Sequence, residues 1–516
     1  MAILKREMVL SFLLLVAVAS FIPAPEKDGI IKTTDGLVSG TVNSDGDIHV
    51  FKGIPFAAPP VGNLRWKAPQ PVTPWTGVKK CDVFSASPIQ NKPAAFSMWS
   101  EEFLIPKEPI SEDCLYLNVW TGSTSKEKRP VLVWIYGGGF SSGGSAVPIY
   151  DGEAMAKKGI VFVSINYRVG VFGFFAHPEL TKESDHQSSG NYGLMDQLAA
   201  LTWVKKNIAA FGGDPGNVTI AGQSAGSMSV NCLVASPLAG GLFKRAIAES
   251  GASFIGNRRN RPGNLGAAEQ QGAKTAQAFN ASSIAQLRSV PADELLKKAQ
   301  GTGPIVDGYV LPESIADIFA AGKQNKVDLL TGWNQDEGLL SGPMKNAEDF
   351  KKGIEQQYGE AASTFFQFYP AGNDAEAAAS QLNLSRDMIF GIQNYTWANV
   401  QSKQQSKVYL YRFTHKPPAT GEYVKYGAFH TGEVPYAYDN LKFVNRPWQA
   451  VDHQLADIMS TYWANFVKTG DPNGKGLAEW PAYNTASKKA MIFSEKIKAA
   501  VLTDSQALDF LYSIQK

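Results

Sequence analysis

Ser224 is the residue whose neighbours most directly suggest chemistry. It lies in Gly222-Gln223-Ser224-Ala225-Gly226, after the β-branched run 218–221 and before a segment with a helix-like sequence. A strand, Gly-x-Ser-x-Gly and a helix in this order form a sharp turn that exposes a nucleophilic serine. Glycines at its two ends let strand and helix approach closely. Because the pentapeptide alone is equally consistent with an ordinary turn, acyl transfer requires oxyanion donors, an acid and a base elsewhere in the chain.

A glycine run upstream of the serine is suited to bind an oxyanion. The run Gly137-Gly138-Gly139-Phe140 directly follows the apolar segment 131–136. Successive glycines free the backbone to turn its N–H groups to one side. We expect the N–H groups of Gly138, Gly139 and Ala225 to form a hole with three donors. A flexible turn is the alternative, and the position after a buried strand favours the oxyanion hole.

The base and the acid are expected after later strands. Among six histidines, His430 leads, because His415 lies in a Pro-rich segment that is typical of a solvated turn. Asp336 and Glu337 follow the apolar strand 327–332. Either carboxylate can accept the second N–H of the histidine, and the spacing does not choose between them. The chain order serine, then acid, then histidine is that of the α/β-hydrolase fold.

Strands alternating with helices must position these residues. Continuous apolar runs indicate strands buried on both faces, and the segment 196–210 has helical periodicity. We therefore predict an α/β-hydrolase fold with a large, mostly parallel central sheet and helices on both faces. The segments 264–300 and 346–403 are predicted to be helical insertions over the active site. The strand runs are 131–136, 160–166, 218–221, 246–248, 327–332, 408–413 and 490–493.

The N-terminus has the features of a targeting segment. Lys5 and Arg6 precede an apolar run over 8–19 that ends in Ala17-Val18-Ala19. This pattern predicts a secretory signal peptide over 1–24, cleaved near Ala19, and an uncleaved anchor is the alternative. The remaining 25–516 is predicted to be a single catalytic domain. We expect a secreted or periplasmic protein with no membrane span after cleavage.

Charge and cysteine content limit the partners and cofactors. The chain has 49 basic and 47 acidic residues, a net charge of +2 and no basic stripe, so nucleic acid is not an expected partner. Neither the histidines nor the cysteines show metal-ligand spacing, and the predicted chemistry needs no metal or organic cofactor. Cys232 lies in an apolar helix and is expected to be a core thiol. Cys81–Cys114 is then the disulfide to expect in an oxidising compartment.

Taken together, these segments resemble the type-B carboxylesterases, the cholinesterase-like family of esterases and lipases. The resemblance extends from about Ile31 to Phe510. It rests on Phe-Lys-Gly-Ile-Pro-Phe-Ala at 51–57, Ser-Glu-Asp-Cys-Leu-Tyr-Leu-Asn at 111–118, Tyr-Gly-Gly-Gly-Phe at 136–140, Asn-Tyr-Arg-Val-Gly at 166–170, Phe-Gly-Gly-Asp-Pro at 211–215, and the segments 222–226, 334–338 and 429–430.

The resemblance assigns roles that spacing leaves open. It implies Ser224 as nucleophile, Glu337 rather than Asp336 as acid, and His430 as base. It also implies the oxyanion hole proposed above, a serine near the triad at Ser250, and the buried ion pairs Arg65–Glu112 and Arg168–Asp196. Apart from the resemblance, we expect Phe140, which helps to shape the pocket, and Gln223 to contact the substrate.

Two departures from the family bear on substrate and covalent structure. Choline-ester hydrolases of the family carry glutamate at the position of Gln223. A neutral amide provides no charge for a cationic substrate, so we expect a neutral small-molecule ester. The usual disulfide partner of Cys114 falls near Ser87 or Pro88, where this chain has no cysteine.

The predicted function is therefore ester hydrolysis through an acyl-enzyme. The alternatives are a non-catalytic binding or adhesion relative, or the same triad acting on amides, thioesters or carbamates. Because all three triad positions are filled, the catalytic interpretation is favoured over the adhesion protein.

Overall fold

The computed structural model describes residues 29–123, 127–255, 263–339 and 342–515, so the predicted signal peptide lies outside the described residues. The strands are β1 Ile30–Lys32, β2 Leu37–Ser39, β3 Thr41–Val42, β4 His49–Pro55, β5 Val78–Lys80, β6 Ser87–Pro88, β7 Ile110–Ser111, β8 Tyr116–Thr121, β9 Arg129–Ile135, β10 Val161–Ile165, β11 Gly213–Gln223, β12 Arg245–Glu249, β13 Gly263–Asn264, β14 Ile305–Val306, β15 Asp328–Asn334, β16 Val408–Phe413, β17 Lys489–Phe493 and β18 Lys498–Val501.

The helices include both predicted insertions, which are confirmed as helical over α6–α8 and α10–α13. They are α1 Glu153–Lys157, α2 Gly170–Gly173, α3 Pro178–Glu183, α4 Tyr192–Asn207, α5 Ala225–Ala235, α6 Leu265–Ala278, α7 Ile284–Ser289, α8 Ala292–Lys298, α9 Ile315–Ala320, α10 Ala347–Tyr358, α11 Ala362–Phe368, α12 Asp374–Arg386, α13 Ile392–Gln401, α14 Val434–Ala437, α15 Ala450–Thr469 and α16 Ser505–Ile514. A π-helical segment, Asp387–Gly391, joins α12 to α13.

A mixed sheet forms the centre of the described structure. Its 11 strands run in the order β18-β17-β16-β15-β12-β11-β9-β10-β8-β4-β3. The strands from β17 to β10 pair in parallel, and the outer strands β18, β8, β4 and β3 pair antiparallel. The prediction of an α/β-hydrolase fold with a mostly parallel sheet is confirmed. The parallel strands are buried on both faces, as their continuous apolar sequences require.

The strand that leads to Ser224 is longer than its apolar run. β11 begins at Gly213, five residues before the predicted start, and its register shifts between Gly213 and Val218. The residues 214–217 are only partly buried, which explains why hydrophobicity did not reveal them. β11 ends at Gln223 and α5 begins at Ala225, so Ser224 is the single residue between strand and helix.

Both predicted ion pairs are present; Arg168–Asp196 is buried, and Arg65–Glu112 is partly buried. An Nη of Arg65 lies 2.6 Å from Glu112, and an Nη of Arg168 lies 2.7 Å from Asp196. Arg168 also donates to the carbonyl of Lys67, 2.9 Å away. The second pair therefore ties the N-terminal segment to the loop after β10 and to α4. Over the described residues, the structure contains no helix with the length and apolar character needed to cross a bilayer.

The expected Cys81–Cys114 disulfide does not form, and all three cysteines are free and buried. The two thiols have different surroundings. The thiol of Cys114 interacts with the charges of Arg168 and Asp196. The backbone N–H of Cys81 instead donates to the carbonyl of Ser39 at 2.7 Å. Burial raises the pKa of Cys81 to about 11. The prediction failed because it came from counting cysteines, which does not measure the distance between them.

Candidate active site

Ser224 has the strained backbone of an exposed nucleophile. Its φ of 58° and ψ of −124° lie outside the regions that side chains with a Cβ favour. Its N–H donates to the carbonyl of Glu249 at 2.9 Å, which fixes the turn to the end of β12. Ser224 is partly exposed, while its neighbours Gln223 and Ala225 are buried. A strained, partly exposed serine between two buried residues is typical of a nucleophile elbow.

The two glycines of the motif are required by close packing. A Cβ on Gly226 would lie 2.0 Å from the carbonyl oxygen of Ile135. A Cβ on Gly222 would lie 2.5 Å from the carbonyl carbon of Gly226. The end of β9 therefore contacts the first turn of α5 directly, as the sequence predicted from these glycines.

The glycine run brings free N–H groups beside the serine. A Cβ on Gly137 would lie 3.0 Å from the Ser224 Cβ, so the run passes directly over the turn. Gly138 and Gly139 have φ values of 118° and 62°. Within the described part of the chain, the N–H groups of Gly138, Gly139 and Ala225 have no hydrogen-bond acceptor. These are the three donors expected to bind an oxyanion.

The structure brings Glu337, and not Asp336, to the histidine. The Nδ1 of His430 lies 2.8 Å from a carboxylate oxygen of Glu337, and both residues are buried. The Asp336 carboxylate instead accepts the N–H of Ala428 at 2.9 Å. Because Glu337 accepts the Nδ1 proton, Nε2 of His430 is the nitrogen left to act as base.

His415, the rival histidine, is buried rather than in a solvated turn. Its Nε2 lies 2.7 Å from Asp452 in the first turn of α15, and the hydroxyl of Tyr436 donates to the same carboxylate oxygen. The expectation of a solvated turn was wrong because α15 covers this loop. His415 thus joins β16 to α15, away from Glu337.

Two residues that the sequence analysis missed support the triad. The backbone N–H of Asn334 donates to the other oxygen of Glu337 at 2.8 Å. Its side-chain amide donates to the carbonyl of Phe429 at 2.8 Å and to the carboxylate of Glu433. Asn334 therefore links Glu337 to the loop that carries His430, called the histidine loop below. Asn334 begins the segment 334–338 that carries the resemblance, and Asn334 and Glu433 each lie three residues from a predicted triad position, but neither signal indicates these contacts.

Buried carboxyl groups surround this hydrogen-bond system. Burial raises the pKa of Glu433 well above its ordinary value, and the nearby carboxylates of Glu249 and Glu337 raise it further. Burial raises the pKa of Glu249 to about 7, against hydrogen bonds from Trp463 and Tyr438 that lower it. The Oγ of Ser250, also near the turn, is buried without a partner among the described residues.

Of the two residues predicted to contact substrate, Gln223 lies against His430, and Phe140 directly follows the glycine run. Gln223 is buried, and its side-chain nitrogen lies 3.3 Å from each ring nitrogen of His430. Phe140 has a φ of 61°, and its ring packs edge-on against Phe174 at 5.2 Å. Gln223 therefore faces the catalytic ring, and Phe140 borders the oxyanion loop.

The segment 85–109 packs against the loop that carries His430. Phe103 lies edge-on to Phe429 at 5.6 Å, and Trp99 lies edge-on to His430 at 6.2 Å. Phe96 contacts Trp99 and is 58% exposed. The segment thus places aromatic rings from the surface down to the catalytic histidine.

Comparison with known proteins shows the family to which the chain belongs. A family model, described as the carboxylesterase family, matches residues 27–511. The chain belongs to this family. It is 37% identical over 468 residues to fumonisin B1 esterase of Sphingopyxis macrogoltabida, covering 87% of this chain and 84% of that protein. It is 35% identical over 500 residues to para-nitrobenzyl esterase of Bacillus subtilis (strain 168), covering 91% and 95%.

A mammalian relative shows the same extent of similarity. Liver carboxylesterase of Sus scrofa is 33% identical over 521 residues, covering 90% of this chain and 89% of that protein. The family and these relatives identify the chain as a carboxylesterase, a serine hydrolase that cleaves carboxylic esters.

Proposed function

We propose that this carboxylesterase hydrolyses neutral small-molecule esters with Ser224 as nucleophile, His430 as base and Glu337 as the acid that orients it. The observation that carries the proposal is the 2.8 Å contact between His430 Nδ1 and Glu337, together with the contact of His430 with Gln223, the residue that precedes the strained Ser224. The resemblance to the family supports the same three roles.

The reaction follows from which atom holds each proton. Nε2 of His430 accepts the hydroxyl proton of Ser224 as the oxygen attacks the ester carbonyl. The free N–H groups of Gly138, Gly139 and Ala225 bind the oxyanion. The imidazolium, stabilised by Glu337, then protonates the departing alcohol. Water attacks the acyl-enzyme by the same path and releases the acid and the serine hydroxyl.

The test of the nucleophile is Ser224→Ala, assayed for the rapid first release of p-nitrophenol from a p-nitrophenyl ester. We expect the burst to disappear while circular dichroism shows a folded protein. A folded variant that retains the burst would exclude Ser224 as nucleophile. Para-nitrobenzyl esters and fumonisin B1, named in the relatives, belong in the substrate panel together with esters of varied acyl length.

The preference for neutral esters rests on Gln223. A carboxylate at this position would attract a quaternary ammonium group, and the amide carries no net charge. The decisive comparison is butyrylcholine against 3,3-dimethylbutyl butyrate, in which a neutral carbon replaces the charged nitrogen. We expect the higher kcat/KM for the neutral ester, and the reverse order would contradict the proposal.

The proposed location is secreted or periplasmic, after removal of residues 1–24. The support is the Lys5-Arg6 pair followed by the apolar run 8–19 and Ala17-Val18-Ala19. N-terminal sequencing of the protein recovered outside the cytoplasm tests it. A chain that remains in the cytoplasm with Met1 intact would contradict it.

A further inference from the structure

Thr431, the residue after the catalytic histidine, has a conformation that its side chain disfavours. The N–H of Gly432 donates to the carbonyl of Phe429 at 2.9 Å, which closes a turn with His430 and Thr431 at its centre. Thr431 has a φ of 81° at the third position of this turn. Turns of this type take glycine or asparagine there, and a β-branched residue is a conformational outlier. An outlier at an active site is a reason to look for a function of the side chain.

The hydroxyl of Thr431 joins the segment 85–109 to the end of β11. Thr431 is buried, and its Oγ1 accepts the indole N–H of Trp99 at 3.1 Å. The same hydroxyl donates to the side-chain carbonyl oxygen of Gln223 at 3.4 Å. The one hydroxyl therefore accepts a hydrogen bond from the segment 85–109 and donates one to the end of β11.

This arrangement decides which end of the Gln223 amide faces the catalytic ring. Since the Thr431 hydroxyl takes the carbonyl oxygen, the NH₂ group points towards His430, 3.3 Å from each ring nitrogen. Nδ1 of His430 donates to Glu337, and the amide nitrogen, equally far from both ring nitrogens, contacts the ring without being directed at the Nε2 lone pair, which accepts the proton of Ser224 in the proposed reaction. Phe390 stacks on the ring at 4.3 Å. The ring is thus held by a carboxylate at Nδ1, an amide at equal distance from both nitrogens and an aromatic ring on its face.

We propose that Thr431 is a positioning residue, whose hydroxyl orients Gln223 and thereby holds His430 for proton transfer with Ser224. The contact from Trp99 extends this chain of hydrogen bonds to the segment 85–109. The proposal rests on the proposed roles of Ser224 and His430. It explains why a β-branched residue occupies a turn position that favours glycine: the hydroxyl contacts offset the conformational cost.

The test compares three substitutions at one position with p-nitrophenyl butyrate as substrate. Thr431→Val keeps the shape and removes the hydroxyl, Thr431→Ser keeps the hydroxyl and removes the methyl group, and Thr431→Gly suits the turn and removes both. We expect kcat to fall about tenfold in the valine and glycine variants with KM unchanged, because the lost contact acts in the chemical step. The serine variant should recover most of the kcat.

The glycine variant keeps the test decisive if valine impairs folding, because glycine is the residue this turn favours. Thr275→Val is the matched control, since Thr275 in α6 has the same 6% exposure and its hydroxyl donates only to the carbonyl of Gln271. It should leave kcat unchanged. Full kcat in folded Thr431→Gly, or a loss in Thr431→Ser equal to that in the valine variant, would overturn the proposal.

A second measurement separates this inference from the proposed function. Trp99→Phe keeps an aromatic ring and removes the indole N–H. If Thr431 acts through this chain, the effects of Trp99→Phe and Thr431→Val on kcat are not additive in the double variant. Additive effects would overturn the chain. Activity that survives Ser224→Ala would instead refute the proposed function, whatever the Thr431 variants show.

Discussion

The contacts of Glu337 explain why Glu337, rather than the adjacent Asp336, is proposed as the acid that orients His430. One oxygen accepts from His430 Nδ1 and the other from the backbone of Asn334, each at 2.8 Å. Glu337→Gln keeps the shape but presents an amide that does not select the required histidine tautomer. We expect kcat to fall on the order of 10³–10⁴-fold with little change in KM.

Asp336→Asn is the natural control, because the Asp336 carboxylate accepts from Ala428 rather than from His430. Its kcat should stay within about tenfold of the wild type, since the substitution weakens one contact of the histidine loop. Steady-state kinetics on both folded variants makes the comparison. A larger loss for Asp336→Asn than for Glu337→Gln would reverse the assignment of the acid.

The raised pKa of the buried Glu249 leads us to predict that the stability of the protein falls as the pH rises. Its pKa of about 7 exceeds the ordinary 4.5 because the carboxyl is fully buried. Between these values the folded protein holds a proton that the unfolded chain releases, so the free energy of unfolding falls as pH rises. Glu249→Gln removes this titration. From about pH 5 to pH 8, the stability of the variant relative to wild type should rise by roughly 2–3 kcal/mol.

Urea unfolding at the two pH values measures this difference. Glu355→Gln provides the control, since Glu355 is an exposed residue of α10 and its substitution should leave the pH profile of stability unchanged. A relative stability of Glu249→Gln that stays constant across this range would show that Glu249 is ionised in the folded protein.

At the residue scale, the sequence could predict groups that a local pattern marks. Ser224 and Gly138 are found this way, because a strand-and-turn sequence surrounds each. Asn334 and Thr431 could not be found, since their importance depends on contacts with residues about 95 and 208 positions away, at Phe429 and Gln223. Periodicity and composition describe neighbours along the chain, and they do not describe which loops meet.

At the scale of elements, the contact between β9 and α5 makes Gly226 a sensitive position. The Cβ of an alanine would lie 2.0 Å from the Ile135 carbonyl, and the contacting atom is backbone. We expect Gly226→Ala to lower the free energy of unfolding by about 3 kcal/mol or more and to displace Ser224 from the oxyanion donors. Chemical unfolding and a p-nitrophenyl ester assay measure both effects.

Gly266→Ala is the matched substitution in α6, where the nearest atom to the new Cβ would be 3.7 Å away. Alanine there should be neutral or stabilising by up to about 1 kcal/mol, because it favours the helix. Equal stability of Gly226→Ala and Gly266→Ala would show that α5 moves away from β9 at little cost.

The elements themselves were largely predictable, and the exceptions have physical causes. Apolar runs located the buried parallel strands, since both faces of such strands exclude water. The start of β11 was missed because residues 214–217 are polar or turn-forming and only partly buried. The disulfide expectation and the solvated His415 failed for a common reason, as both depended on how distant elements pack.

At the scale of the whole molecule, the buried Arg168–Asp196 pair joins three parts of the chain. Arg168 contacts Asp196 in α4 through two nitrogens, at 2.8 and 2.7 Å, and donates to Lys67 in the N-terminal segment. Asp196→Asn leaves the guanidinium buried without its counter-charge. The free energy of unfolding should therefore fall by about 3–5 kcal/mol.

The exposed pair Lys323–Glu313 gives the comparison, because water and salt screen its charges. Glu313→Gln should change the free energy of unfolding by less than about 1 kcal/mol. If the two substitutions cost the same, the Arg168 charge is solvated in the folded protein, and the N-terminal segment must be held by other contacts. The larger loss for Asp196→Asn would instead show that this segment and α4 depend on one buried charge.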